Sequence, residues 1–327
     1  MSWEQELATA YRKVEDLARD GFISWDEASK ISSIPQKYQL LLPRYYANLI
    51  DRNDPNCPIR LQSIPRFEEN DSIEFGLLDP LQDLTHRPVQ KITHRYHNRV
   101  LLHLTPNCSM YCRFCFRKSL LNELKNDLFS GDIGDSLQYL QEEKEVEEVI
   151  FSGGDPFMVS EGALQQVLNS LASITHIKRV RFHTRVPVTL PSRITSTFVD
   201  TLAGTRFKTV VVTHFNHPKE LTQEAKVGLE LLSKRVTLLN QSVFLKKVND
   251  RADILIELSE KLFEAGVLPY YLHQLDSAQG TRHFYVEESL GRHIWDEMKK
   301  RLPGYLVPRY VVDIVGDPYK REVSGSV

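Results

Sequence analysis

Three cysteines stand close together in the run Asn107-Cys108-Ser109-Met110-Tyr111-Cys112-Arg113-Phe114-Cys115, three residues separating the first pair and two the second. A cubane iron–sulfur cluster has four irons, so a loop supplying three thiolates leaves one iron without a protein ligand. An open iron on a low-potential cluster can bind and reduce a small molecule, whereas a four-thiolate cluster mostly carries electrons. A structural zinc site wants four ligands, usually in paired spacings with the second pair some distance away. The remaining cysteine, Cys57, sits between Asn56 and Pro58 with no partner nearby in sequence. A histidine could complete a zinc set, so zinc stays open as the alternative. A disulfide framework is disfavoured, because a chain of 327 residues builds its own core.

A second segment with chemical potential is Phe151-Ser152-Gly153-Gly154-Asp155-Pro156. Adjacent glycines let a backbone approach a ligand closely, although a simple turn uses them equally well. His183-Thr184-Arg185, Thr213-His214-Phe215-Asn216 and Asn240-Gln241-Ser242 each close an apolar run. Polar residues in such places more often line a site than fill a core.

The elements that must position these groups are legible from periodicity. Glu4 to Ala18 places Leu7, Tyr11, Val14 and Leu17 on one face, which predicts an amphipathic helix. Asp51 to Pro88, rich in Asp, Asn and Pro, predicts extended loops. From Arg99 onward apolar, β-branched runs occur at 100–104, 146–151, 178–183, 208–213, 236–243 and 268–275. Polar, helix-compatible stretches at 161–174, 191–203, 219–232 and 252–265 separate most of them. Such alternation predicts strand–helix–strand units closing into a partial (βα)6 TIM-like barrel, with a doubly wound open sheet as the runner-up. The cysteine loop follows the first strand and the Gly-Gly segment follows the second, at the carboxyl ends where parallel barrels keep their active sites. The expected division is an N-terminal helical and extended region (1–93), a core barrel (94–285) and a C-terminal helix with a short terminal segment (286–327).

A 41% hydrophobic and 26% charged composition is that of an ordinary globular enzyme. The net charge of −2 gives no footprint for nucleic acid or an anionic membrane surface. No apolar run approaches the roughly 20 residues that span a bilayer, and the acidic start Met1-Ser2-Trp3-Glu4 does not resemble a signal peptide. Free thiolates and an oxygen-sensitive cluster point to a reducing cytoplasm.

The CxxxCxxC spacing with Phe114 before the last cysteine resembles the signature of the radical S-adenosylmethionine (radical SAM) superfamily. From Asp54 to the last strand, the chain is similar to the lysine 2,3-aminomutases. The similarity lies in Thr93-His94-Arg95-Tyr96, the cysteine run, Phe151 to Asp155, Thr213-His214-Phe215-Asn216-His217-Pro218 and Asn240-Gln241-Ser242-Val243. That resemblance implies a radical SAM barrel with a 4Fe-4S cluster on Cys108, Cys112 and Cys115, SAM, and pyridoxal 5′-phosphate (PLP). The implied reaction is the conversion of L-α-lysine to β-lysine, with a low-potential electron donor.

Site residues follow from the same resemblance. Lys320 matches the PLP lysine, seven residues after Asp313, although only Gly316 remains of the family's glycine-rich run, here Val315-Gly316-Asp317-Pro318-Tyr319. Arg95 and Arg99 match positions near the cofactor phosphate, and Tyr96 lies against the ring. Ser152, Gly153, Gly154 and Asp155 resemble the cradle for the SAM amino group, and Phe114 and Gln241 join the cofactor-binding positions. Arg117 matches the partner of the substrate carboxylate. Asp276 and Asp313 match the carboxylates that bind the lysine ε-ammonium. The absence of cysteine after Cys115 argues against the C-terminal zinc site of longer members, and a homo-oligomer is left open. Gln274 to Gly280 resembles the short bacterial branch that makes β-lysine for elongation factor P. A radical aminomutase for another basic amino acid such as ornithine, or a non-catalytic zinc-binding scaffold, are the alternatives.

Overall fold

The computed structural model describes residues 2–70, 76–123 and 128–323. Among the described residues nine strands form one sheet: β1 (Ile92–Tyr96), β2 (Arg99–His103), β3 (Glu148–Ser152), β4 (Arg179–His183), β5 (Lys208–Thr213), β6 (Thr237–Val243), β7 (Leu268–His273), β8 (Arg309–Val312) and β9 (Arg321–Glu322). Their spatial order is their chain order. β2 to β8 run parallel, while β1 and β9 add antiparallel edges.

Strictly sequential order decides between the two expected architectures. Right-handed crossovers that always advance in one direction place every helix on the same face, and the sheet curls about the other. A doubly wound sheet needs a reversal of strand order, and none occurs. The fold is therefore the expected partial (βα)6 TIM-like barrel, with six strand–helix units closed by a seventh parallel strand. The crossover helices are Ile133–Glu142, Glu161–Ala172, Ser196–Ala203, Gln223–Ser233, Ala252–Glu264 and Glu288–Arg301. Hydroxyl caps start three of them, Ser160 accepting from Ala163 N, Thr195 from Phe198 N and Thr222 from Ala225 N. In the helix 161–172, Leu164, Leu168 and Leu171 form the buried stripe facing the sheet.

Each central strand is covered on both faces, and its alternation assigns the two environments. Val149, Phe151, Val180 and Phe182 are fully buried, and the Phe151 and Phe182 rings stack at 4.5 Å. The intervening residues Ile150, Ser152, Arg181 and His183 face the barrel interior and line a cavity. A slip of one residue in any of these strands would exchange core for site.

Three sequence expectations change. The strands β1, β8 and β9 were not anticipated: β1 reads Ile-Thr-His-Arg-Tyr, and the other two have four and two residues. The single helix expected over Glu4–Ala18 is two, Trp3–Ala8 and Val14–Arg19. Tyr11 leaves the helix to form a backbone bridge with Leu42, at 2.9 and 3.0 Å, and its hydroxyl donates to Asp20 at 2.6 Å. The stretch 51–88 contains a helix at Pro58–Ser63 and a 3-10 turn at Phe67–Asn70, and positions 71–75 of it lie outside the described residues. Among the described residues no helix is long and apolar enough to cross a membrane.

Candidate active site

A cavity of about 610 Å3 opens at the carboxyl ends of the strands. All thirteen other predicted site positions line it together with Arg95, Lys320 and Gln241: the three cysteines, Phe114 and Arg117, the Ser152–Asp155 turn, Tyr96, Arg99, Asp276 and Asp313. The topology thus gathers residues spread over more than two hundred positions of sequence.

The cysteine loop leaves β2 and is fastened from behind. Glu69, fully buried, accepts from Arg113 Nε at 3.0 Å and Nη2 at 2.5 Å, and from Lys118 Nζ at 2.8 Å. Lys118 also donates to the carbonyls of Arg113 and Gly280, each at 3.0 Å. One carboxylate thereby ties both ends of the Arg113–Lys118 stretch to the N-terminal segment and to the loop after β7. Burial works against Glu69, but Arg113 and Lys118 outweigh it and hold its carboxyl at about 2. Lys118 is pushed down to about 8 by burial and the neighbouring Arg113, despite Glu69. Two cations share one anion, so Glu69 gains more from the arrangement than Lys118 does.

The thiols Cys108, Cys112 and Cys115 are half-buried and free of disulfides. Burial, then Asp155 and the other two cysteines, push Cys108 well above the usual thiol range, and burial with Cys112 raises Cys115 to about 11. Crowded, desolvated thiols resist ionisation until a cation enters among them, and bound iron reverses that preference. Among the described residues, no three His, Cys, Asp or Glu side chains are grouped to hold one metal ion. The three thiols suit a donor set shared over several irons.

Gly153 has φ +108°, and a Cβ there would meet Phe129 at 2.6 Å. A Cβ on Gly154 would come within 2.5 Å of the Asn107 carbonyl oxygen and 2.8 Å of that of Thr105. Gly154 N and Asp155 N donate to Thr105 O and Asn107 O at 3.0 and 2.8 Å. The glycine pair therefore presses the β3 turn against the start of the cysteine loop, a packing demand as well as an opening toward the cavity. The Asp155 carboxylate accepts from Phe157 N, Thr184 Oγ1 and Arg185 N at 3.0, 2.7 and 2.7 Å, which fixes the turn to the end of β4.

At one side of the cavity Arg117 pairs through Nε with buried Asp83 at 2.6 Å and donates from Nη1 to Ser152 Oγ at 3.1 Å. Asp83, on the loop before β1, was not anticipated; nothing in its local sequence marks it. The carboxylate of Asp276, after β7, has no hydrogen-bond or ion-pair partner among the described residues. Burial first and Asp313 second raise its carboxyl to about 7.

Asp313 and Lys320 meet through the register of a hairpin. β8 and β9 pair Val312 with Arg321 and Val311 with Glu322, so the next opposed pair is 313 and 320. The turn is closed by Asp317 N donating to Ile314 O at 3.1 Å, with Gly316 at φ +88° in its third position, where a left-handed residue is required. This one glycine suffices to bring Lys320 back, and the seven-residue spacing is a consequence of antiparallel pairing. Lys320 Nζ forms a short ion pair with Asp313 Oδ2. Across the open edge of the barrel, Arg95 reaches Asp313 at 2.8 Å and Ile314 O at 2.7 Å, and the Tyr96 hydroxyl donates to Asp313 at 3.2 Å. Side chains rather than backbone bonds thus close the gap between β1 and β8. Burial raises the Asp313 carboxyl, but Lys320 and Arg95 together keep it below the ordinary range. Arg99 stacks 4.2 Å over the Tyr96 ring and has no carboxylate partner among the described residues.

Beyond these, His183 and His214 are half-buried, with Nε2 of each buried and unpartnered, and desolvation holds both rings neutral. Their position at strand ends was the sequence signal. Phe114 lies edge-on to His214 at 5.4 Å.

The partial barrel with three thiols at its carboxyl rim is the architecture of an iron–sulfur radical SAM enzyme, and a family model described as a 4Fe-4S single cluster domain matches residues 98–186. The chain is 37% identical over 316 residues to the L-lysine 2,3-aminomutase of Buchnera aphidicola subsp. Baizongia pistaciae, covering 96% of this chain and 93% of that protein. It is 41% identical over 285 residues to the L-lysine 2,3-aminomutase of Haemophilus influenzae, covering 86% and 84%. A radical SAM methyltransferase structure from Sphaerobacter thermophilus superposes with a TM-score of 0.46 and 14% identity over 67% of this chain and 68% of that one, too loosely to carry weight. The chain belongs to the lysine 2,3-aminomutase family and is an isomerase of the aminomutase type.

Proposed function

We propose that the cavity holds a 4Fe-4S cluster, SAM and PLP and converts L-α-lysine to β-lysine. One observation carries the substrate reading: Asp276 is an unpaired, desolvated carboxylate in the cavity that also presents the three thiols and Lys320. A carboxyl raised to about 7 beside Asp313 is an anion in want of a cation, which a side-chain ammonium supplies.

The residues present fit the proposed groups. Cys108, Cys112 and Cys115 would hold three irons and leave the fourth for SAM, with the Ser152–Asp155 turn, Phe114 and Gln241 around it. Lys320 would carry PLP, Arg99 and the half-buried Arg95 would face its phosphate, and Tyr96 would pack on its ring. When bound, cluster and SAM supply hydrogen-atom abstraction, and PLP supports the migration of the amino group.

The protein's own part is placement. Asp83 and Ser152 hold the Arg117 guanidinium in one orientation, leaving its remaining edge for the substrate carboxylate. Asp276 and Asp313 would take the ε-ammonium at the other end; with Lys320 engaged by PLP, Asp313 keeps Arg95 and gains room for that ammonium. Fixing both ends presents one C3 hydrogen, and a misplacement of about 1 Å can cost on the order of a hundredfold in rate. His183 and His214, neutral and each with an unpartnered Nε2, add hydrogen-bonding capacity without competing charge. The cytoplasmic assignment rests on the free thiols and the oxygen sensitivity of the proposed cluster, and a use of the product for elongation factor P rests on the sequence resemblance.

The test is a substrate panel. Reconstituted anaerobically, the enzyme should turn over lysine far faster than ornithine, glutamate or alanine. Comparable turnover of lysine and glutamate would remove the basis for naming lysine.

A further inference from the structure

Arg185, just past the end of β4, is buried, and each of its three guanidinium nitrogens has a hydrogen-bond partner. Its Nη1 donates to Cys112 Sγ at 2.9 Å. Its Nη2 meets Glu220 Oε1 at 2.6 Å, Gln62 Oε1 at 2.7 Å and the Tyr46 hydroxyl at 3.2 Å, and Nε donates to the His214 carbonyl at 3.2 Å. Glu220 is itself held by the backbone amides of Asn216 and His217 at 2.7 and 3.1 Å and by Tyr46 and Gln62. The mount is built from three separate parts of the chain, and the charges of Arg185 and Glu220 cancel within it. What emerges on the cavity side is Nη1, held so that one of its N–H groups is aimed at a cysteine sulfur.

We infer that Arg185 tunes the reduction potential of the cluster through its hydrogen bond to Cys112, an inference that rests on the cluster reading above. Reduction adds one electron, from an external low-potential donor, with no bond made or broken at the protein. It makes the cluster more negative, so a donor to a ligand sulfur stabilises the reduced form more than the oxidised one. Because Glu220 balances the guanidinium charge, the hydrogen bond itself is the working contact. Arg185 is a positioning residue acting through Cys112, with Nε and Nη2 spent on the mount.

The experiment is a redox titration of the reconstituted full-length protein, followed by the electron paramagnetic resonance signal of the reduced cluster, with iron content measured in parallel. Arg185→Gln combined with Glu220→Gln removes the donor and its balancing charge together. Its midpoint should fall so that, at the wild-type midpoint, the reduced-to-oxidised ratio drops about tenfold, or 59 mV for one electron. Arg185→Lys keeps the charge but cannot serve both Cys112 and Glu220, and should move the midpoint the same way. Glu220→Gln alone keeps the donor and removes a negative charge, so its midpoint should rise. Opposite signs distinguish tuning from a structural role. Midpoints unchanged in both Arg185 variants, or all three moving one way, would overturn the inference. So would loss of iron from both Arg185 variants with no rise in Glu220→Gln. A wild-type protein that takes up no iron would instead refute the proposed function itself.

Discussion

Glu69→Gln removes the one anion that Arg113 and Lys118 share behind the cysteine loop. An ordinary glutamate carboxyl titrates near 4.5, and this one is held at about 2. At 1.36 kcal/mol per pH unit, that gap contributes about 3 kcal/mol of stability. Breaking a buried pair by removing one partner costs a similar ~3–5 kcal/mol. The sign of the pH dependence follows. A depressed carboxyl stabilises the fold fully above its unfolded value near 4.5, and that contribution disappears as pH falls toward 2. The wild-type advantage over Glu69→Gln should therefore be complete at pH 5 and above and shrink below it. Urea unfolding followed by tryptophan fluorescence, at pH 7 and across the range from 5 down to 3, measures it. The loosened loop should also surrender iron to a chelator faster. A variant within 1 kcal/mol of wild type at pH 7 would refute the reasoning, because Arg113 and Lys118 would then have found other partners.

Replacing Cys108, Cys112 or Cys115 with Ala should abolish cluster assembly and SAM cleavage, whereas Cys57→Ala, whose thiol is buried away from the cavity, should keep both; iron analysis separates them. Gly154→Ala should lose most of its iron while retaining the fold by circular dichroism, since the added methyl would strike the backbone of Asn107. Borohydride reduction of the PLP-loaded protein should leave a pyridoxyl mass on Lys320; a label on another lysine would overturn that assignment. Asp276→Asn should weaken lysine turnover by a hundredfold or more, a loss of several kcal/mol of pairing, while iron and PLP contents hold. Because Asp276 titrates at about 7 in the ligand-free site, lysine affinity should fall as pH drops below 7, and the Asn variant should lack that dependence.

The parts of this molecule that were legible in sequence are those written in local pattern. Six apolar runs gave six of the parallel strands, because a strand covered on both faces must be apolar along its length. The cysteine spacing pointed to a cluster because three ligands on one loop constrain one another. β9, Arg321–Glu322, is a strand by its pairing and not its composition, whereas β8 is apolar and β-branched at Tyr310-Val311-Val312 but only four residues long; their pairing explains why Asp313 and Lys320 lie seven residues apart. Asp83, Glu69 and Glu220 were equally hidden. Each is a lone acid whose meaning depends on an arginine brought against it from elsewhere in the fold, 34 to 44 positions away. Arg185 was marked only by its place at a strand end, and its contact with Cys112 spans 73 positions.

The central claim is that this cavity moves the lysine amino group from the α- to the β-carbon. Lysine labelled with 15N at the α-amino group should be incubated anaerobically with the reconstituted protein, SAM, PLP and a strong reductant, and the product examined by NMR. The account predicts 15N bonded to C3, with formation dependent on all three cofactors. Label remaining on C2 in protein shown to hold iron, SAM and PLP would contradict it.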